Sequence, residues 1–145
     1  MHAVVDTNAW VSAVLNRQGA PAQVLRAYQA GRLTLVTSES LLAEVLEVLH
    51  RPRIARRYNV TEDDAAGLVE ALRAGAPVVA VAGDVRLCRD PDDHVVLETA
   101  MRGQAEAVVS RDEDLTRAPE LAEYLAAAGI SLLTVARFLE RIRRR

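Results

Sequence analysis

Nothing narrows the possible folds of this chain more than its opening. A β-branched run, Ala3-Val4-Val5, ends in Asp6, and a helical pattern begins almost at once and runs from Asn8 to Leu15. A strand that turns straight into a helix suits a layered α/β fold, where the helix crosses one sheet face before the next strand is added. It also holds a carboxylate at the C-terminal edge of the sheet, where open α/β folds place their ligands.

The alternation continues along the chain. After a turn at residues 16–21, Pro21 sits early in a helix from Ala22 to Ala30, and Gly31 stops it. Leu33 to Thr37 reads as a second strand. Ser38 caps a helix that reaches Leu49 and is ended by Pro52. Thr61-Glu62-Asp63-Asp64 has capping-box form and opens a helix to about Ala74. Val78 to Val81 is a third strand or an extended edge. Asp90-Pro91-Asp92-Asp93 opens a helix to Arg102, closed by Gly103. A buried strand, Ala105 to Val109, leads into Ser110-Arg111-Asp112-Glu113-Asp114. A helix from Pro119 to Ala128, a last strand from Ile130 to Leu133 and a C-terminal helix with an arginine tail complete the pattern. The expected fold is one α/β domain over residues 1–145: a three-layer sandwich whose central, mostly parallel sheet has four to five strands, with helices on both faces.

Composition removes several function classes. There is no lysine, and all 18 basic residues are arginine. A P-loop needs its lysine to reach phosphates, and a Schiff-base enzyme needs an amine, so both are excluded. The single cysteine, Cys88, rules out an internal disulfide framework and fits a small core residue in a reducing compartment. No apolar run approaches the roughly 18 residues of a membrane span, and the N-terminus lacks a signal-peptide pattern. A cytoplasmic protein is expected. The net charge of −2 does not describe a globally basic nucleic-acid binder.

Twenty acids are present, and position separates a few from the solvated majority. Asp6 ends the first strand; it could merely cap the following helix, although Thr7 or Asn8 could do so instead. In the helix after Ser38, the residues Leu41, Leu42, Val45, Leu46, Val48 and Leu49 form one apolar arc. Glu44 lies at the border of that arc, Glu47 on the far side, and Glu39 beside the N-terminal dipole. Asp93 shares a helical face with Val96, Leu97 and Ala100, where a carboxylate is unfavourable unless paired or metal-bound. Asp92 falls nearer the edge and Asp90 outside it. Asp112 and Asp114 follow a Val-Val strand and so repeat the placement of Asp6, while Ser110 and Glu113 have capping-box spacing.

Several carboxylates in one pocket cannot all ionise without a cation. Oxygen ligands without a paired His or Cys suit Mg²⁺ or Mn²⁺ rather than zinc. His94 follows Asp93 but is rotated away on a helix, so it is expected at the surface. A hard divalent ion that acidifies water, with a second ion to steady a leaving oxygen, serves phosphate chemistry and needs no protein nucleophile.

With these residues in place, the chain resembles the PIN domain family of nucleases. Asp6-Thr7-Asn8 resembles its first motif and Glu44 its second acid. Asp93, with Ala100 on the same face, resembles the third, and Ser110-Arg111-Asp112 with Asp114 the last. The Asp-Pro-Asp-Asp form resembles the branch described as toxins of bacterial toxin–antitoxin pairs, similar to VapC-type toxins. The resemblance implies Mg²⁺- or Mn²⁺-dependent hydrolysis of RNA phosphodiesters, by a homodimer held inactive by an antitoxin protein. It implies that Asp6, Asp93, Asp112 and Asp114 ligate metal and that Glu44 binds metal or orients water. Thr7, Asn8 and Ser110 would hold the acids or contact a phosphate.

RNA approaching an acidic pit needs cations nearby. Arg51, Arg53, Arg56 and Arg57 form one candidate cluster. Arg141, Arg143, Arg144 and Arg145 form another, although a helix C-terminus favours cations in any case. Two rival readings stand beside the nuclease. A haloacid-dehalogenase-like phosphohydrolase also starts from a strand-end aspartate, but it wants a second Asp where Asn8 stands and a lysine the chain lacks. A catalytically silent PIN-like module would bind RNA or a protein without turnover.

Overall fold

The computed structural model describes residues 1–81, 91–111 and 119–144, with the side chains of residues 91–93 left aside. Within these residues the elements run β1 (His2–Val5), α1 (Thr7–Leu15), α2 (Ala20–Gln29), β2 (Thr34–Leu35), α3 (Glu39–His50), α4 (Pro52–Ala55), α5 (Glu62–Ala74), α6 (Pro91–Arg102), β3 (Ala107–Ser110), α7 (Pro119–Ala127), β4 (Ser131–Thr134) and α8 (Val135–Arg143).

The strands form one sheet in the order β2-β1-β3-β4, and every neighbouring pair is parallel. Val4 sits opposite Val108, and Val108 opposite Leu132. From β1 the chain moves outward to β2, then returns across β1 to lay down β3 on its other side. The order therefore reverses between β1 and β3, and the crevice outside their C-terminal ends is where such a sheet accommodates a ligand.

Strand periodicity divides the interior in two. Ala3, Val5, Ala107 and Val109 face a core shared with α1, α2, α3, α5 and α8. Val4 and Val108, one step out of phase, face a second core built from α6 and α7 through Val96, Leu97, Leu121 and Leu125. Helices thus cover both faces, as the alternation of the sequence requires.

Local signals set most boundaries. Ser38 Oγ accepts from Leu41 N at 3.3 Å and starts α3. Thr61 and Asp64 exchange two hydrogen bonds of 3.0 Å and start α5. Gly31 lies at φ +75°, a backbone state that glycine adopts without strain, directly after α2. The segment Val78 to Val81 forms no full strand; a single parallel bridge joins Thr37 to Val78, making it the extended edge. The second strand is shorter than Leu33–Thr37, and α2 begins before Ala22.

Candidate active site

Asp6 is 5% exposed and sits where β1 gives way to α1. Its backbone N–H donates to the Val109 carbonyl at 3.0 Å, locking it beside β3. One carboxylate oxygen, Oδ1, accepts from Ala9 N at 2.9 Å, so Asp6 itself caps α1. Of the three cap candidates in the sequence, Asp6, Thr7 and Asn8, the first takes the role; the other two lie past the cap, because Thr7 already has helical geometry. The other oxygen, Oδ2, accepts from the buried Ser110 hydroxyl at 2.5 Å. Two donors and the positive end of α1 offset the desolvation of this carboxylate.

Asp6 ends β1 and Ser110 ends β3, so the two meet at the reversal point of the strand order. Thr7 is 5% exposed, and its Oγ1 has no hydrogen-bond partner among the described residues. A buried hydroxyl that the surrounding chain does not satisfy calls for an explanation. Asn8, by contrast, is exposed.

Glu44 is partly buried on α3, as its place at the border of the apolar arc predicts, and α3 packs against α1. Glu47 is exposed and pairs with Arg51 at 2.9 Å. Helix α6 runs back along the sheet: Thr99 Oγ1 lies 3.0 Å from Ser38 Oγ beyond the end of β2, whereas residues 103–106 return the chain to the start of β3. Asp93 lies in the first turn of α6. The Asp93 side chain, Asp90, Asp112 and Asp114 lie outside the described residues, as does Cys88. Among the described residues no three His, Cys, Asp or Glu side chains converge as a metal site. The donors that are placed at the edge, the Asp6 carboxylate with the hydroxyls of Ser110 and Thr7, are all hard oxygens. Among the described residues these donors are compatible with a hard divalent cation.

Three features escaped the sequence reading. Glu98 is 1% exposed and binds Arg102 Nε at 2.8 Å; its i,i+4 spacing is visible in the sequence, but its burial is not. Arg111 follows Ser110, is exposed, and is held by a hydrogen bond to Ser12 Oγ on α1. A guanidinium is thereby stationed beside the acidic edge. His94, expected at the surface, is partly buried. Of the first arginine cluster, Arg51 is engaged by Glu47, whereas Arg53, Arg56 and Arg57 are exposed, with Arg57 5.5 Å over the Tyr58 ring. These residues follow the far end of α3 from Ser38; a helix of that length advances the chain by roughly 18 Å at 1.5 Å per residue.

The chain is similar to an uncharacterized protein of Methanocaldococcus jannaschii, MJ1680, with 26% identity over 129 residues, covering 89% of this chain and 82% of the relative. No solved structure matches at a significant level. The model of the PIN domain family matches residues 2–114, from β1 through the acidic segment that follows β3. The chain belongs to the PIN domain family, whose members are in general metal-dependent nucleases.

Proposed function

We propose that this protein is a Mg²⁺- or Mn²⁺-dependent endoribonuclease, the toxin of a cytoplasmic toxin–antitoxin pair. The observation that carries the nuclease reading is the anchored Asp6 carboxylate, fixed by Ala9 N and Ser110 Oγ where the strand order reverses. In this reading Asp6, Asp93, Asp112 and Asp114 hold the divalent ions, and Glu44 binds metal or orients the attacking water. A bound divalent ion supplies acidified water and charge neutralisation at the scissile phosphate. Ser110 keeps the Asp6 carboxylate in one orientation, and Thr7 and Asn8 flank it. Arg111, tethered to Ser12, contacts a backbone phosphate next to the scissile one. Arg53, Arg56 and Arg57 bind RNA farther along the strand, Arg51 less so because Glu47 already engages it. An inhibitory antitoxin and a homodimer are the protein partners the family resemblance implies; copurification with the neighbouring gene product and a sedimentation measurement test them.

Purified protein incubated with structured RNA should cleave it with Mn²⁺ and stop when EDTA is added. Asp6→Asn should lower the rate by 100-fold or more while keeping a native melting profile. Equal cleavage with and without EDTA, or none on any RNA tried, overturns the enzyme reading and leaves the silent binding module. Hydrolysis of a small phosphomonoester with RNA spared would instead favour the phosphohydrolase.

A further inference from the structure

A groove of about 400 Å³ runs between α2 and α8, on the opposite side of the molecule from Asp6. Arg32, on its rim, lies just before β2, and its Nη2 donates to the Ile142 carbonyl at 3.3 Å. Both residues belong to the edge where strands enter the sheet, whereas Asp6 marks the edge where they leave. The floor is apolar, formed mainly by the buried Ala27, Leu139 and Ile142. The rim carries Arg26, Arg32 and Arg143, and among the described residues none that lines the groove is acidic.

These guanidinium groups are set apart from other arginines of the chain. Arg51, Arg73 and Arg102 are each neutralised by a glutamate. Among the described residues, Arg26, Arg32 and Arg143 have no ion pair. Each is instead tethered by a neutral acceptor: Arg26 by the Arg17 carbonyl at 2.9 Å, Arg143 by Gln23 Oε1 at 3.0 Å, and Arg32 as above. A tethered guanidinium has lost part of its side-chain freedom and still holds unused N–H donors in a fixed fork. Three such forks above an aliphatic floor form a receptor for a ligand that is anionic at its rim and aliphatic at its centre. Among the described residues no aromatic side chain lines the groove for a base to stack on, which disfavours single-stranded RNA.

We infer that this groove docks an acidic segment of a partner protein, one aliphatic side chain seated against Leu139 and Ile142 and flanking carboxylates gripped by Arg26, Arg32 and Arg143. The volume suits one or two side chains, at the small end of the roughly 300–1,000 Å³ common for ligand sites. The inference needs neither metal nor RNA, so it stands or falls separately from the nuclease reading.

The test uses the full chain and a fluorescein-labelled peptide, acetyl-Glu-Leu-Glu-Glu-Leu-Glu-amide, followed by polarisation, with amide shifts mapped by NMR. The expected result is saturable binding with shifts centred on Ala27, Ala30 and Ile142. The variant Arg26→Glu/Arg143→Glu, checked for an unchanged melt, should bind at least tenfold more weakly, about 1.4 kcal/mol. A peptide with serine in place of leucine should lose binding to a similar degree. No saturable binding, equal binding by the variant, equal binding of the serine peptide, or shifts elsewhere overturns the proposal. So does an oligouridine probe that occupies the groove in place of the peptide.

Discussion

Asp6 combines two duties that usually fall to different residues. Through Oδ1 it caps α1, and through Oδ2 it is clamped by Ser110, so one buried carboxylate ties together β1, α1 and β3. Substitutions separate these duties. Asparagine keeps an N-cap acceptor and an amide that can face Ser110 Oγ, so Asp6→Asn should change stability little while removing the charge. Asp6→Ala loses the cap as well and should cost about 1 kcal/mol or more in urea denaturation. Equal stability of the two variants would show that the cap contributes nothing. Thr7 poses the complementary question, because its buried hydroxyl is unsatisfied among the described residues. Thr7→Val replaces that hydroxyl with a methyl group of similar size and should leave stability level or raised by up to about 1 kcal/mol. If the hydroxyl serves the reaction, the same variant loses nuclease activity; a clear loss of stability would mean that Thr7 has a partner in the folded state.

Among the elements, α5 shows how a helix is secured from both ends. The capping box holds the Asp64 carboxyl below its usual value of 3.8, chiefly through the Thr61 backbone N–H and then the Thr61 hydroxyl. Toward the C-terminus of α5, Arg73 reaches Glu39 on α3 through bonds of 3.1 and 3.0 Å, and this contact holds Glu39 below 4.5. A carboxyl whose value is depressed on folding stabilises the fold above its unfolded value, and the contribution disappears as pH falls through the folded value. Wild type should therefore exceed Asp64→Asn in urea midpoint at pH 7, with the two converging as pH drops below the ordinary aspartate range. A gap that persists at pH 2 would show that the ionised carboxyl is not the stabilising form.

At the scale of the molecule, one sheet serves two cores, and α3 contributes to both, Leu42 and Val45 to one and Leu41 to the other. Trp10, the single tryptophan, is 3% exposed in the core of α1, α2, α3, α5 and α8. Leu97, fully buried, belongs to the core of α6 and α7. If the sheet couples its faces, the domain unfolds in one step. Leu97→Ala, expected to cost about 2–5 kcal/mol, should then shift Trp10 fluorescence and far-ultraviolet dichroism to the same lower midpoint. A tryptophan transition that stays in place while the dichroism splits would mean that the layers unfold independently.

The sequence alone determined whatever depends on near neighbours along the chain. Strand and helix order, the caps at Ser38 and Thr61, the border position of Glu44 and the solvated Glu47 all follow from periodicity and local hydrogen bonding, and the structure carries each of them. Its strand-end aspartate was legible as well, because a β-branched run cut short by an acid is a local pattern. Only the tertiary structure decided which strands lie side by side, and hence that the ends of β1 and β3 bring Asp6 against Ser110 across 104 residues. It also decided that Glu98 is buried, that Arg111 is tethered to Ser12, and that three arginines without an ion pair among the described residues frame a groove. These outcomes depend on contacts between residues far apart in sequence. Burial and pairing at such contacts arise from packing, and packing leaves no periodic trace in a single chain.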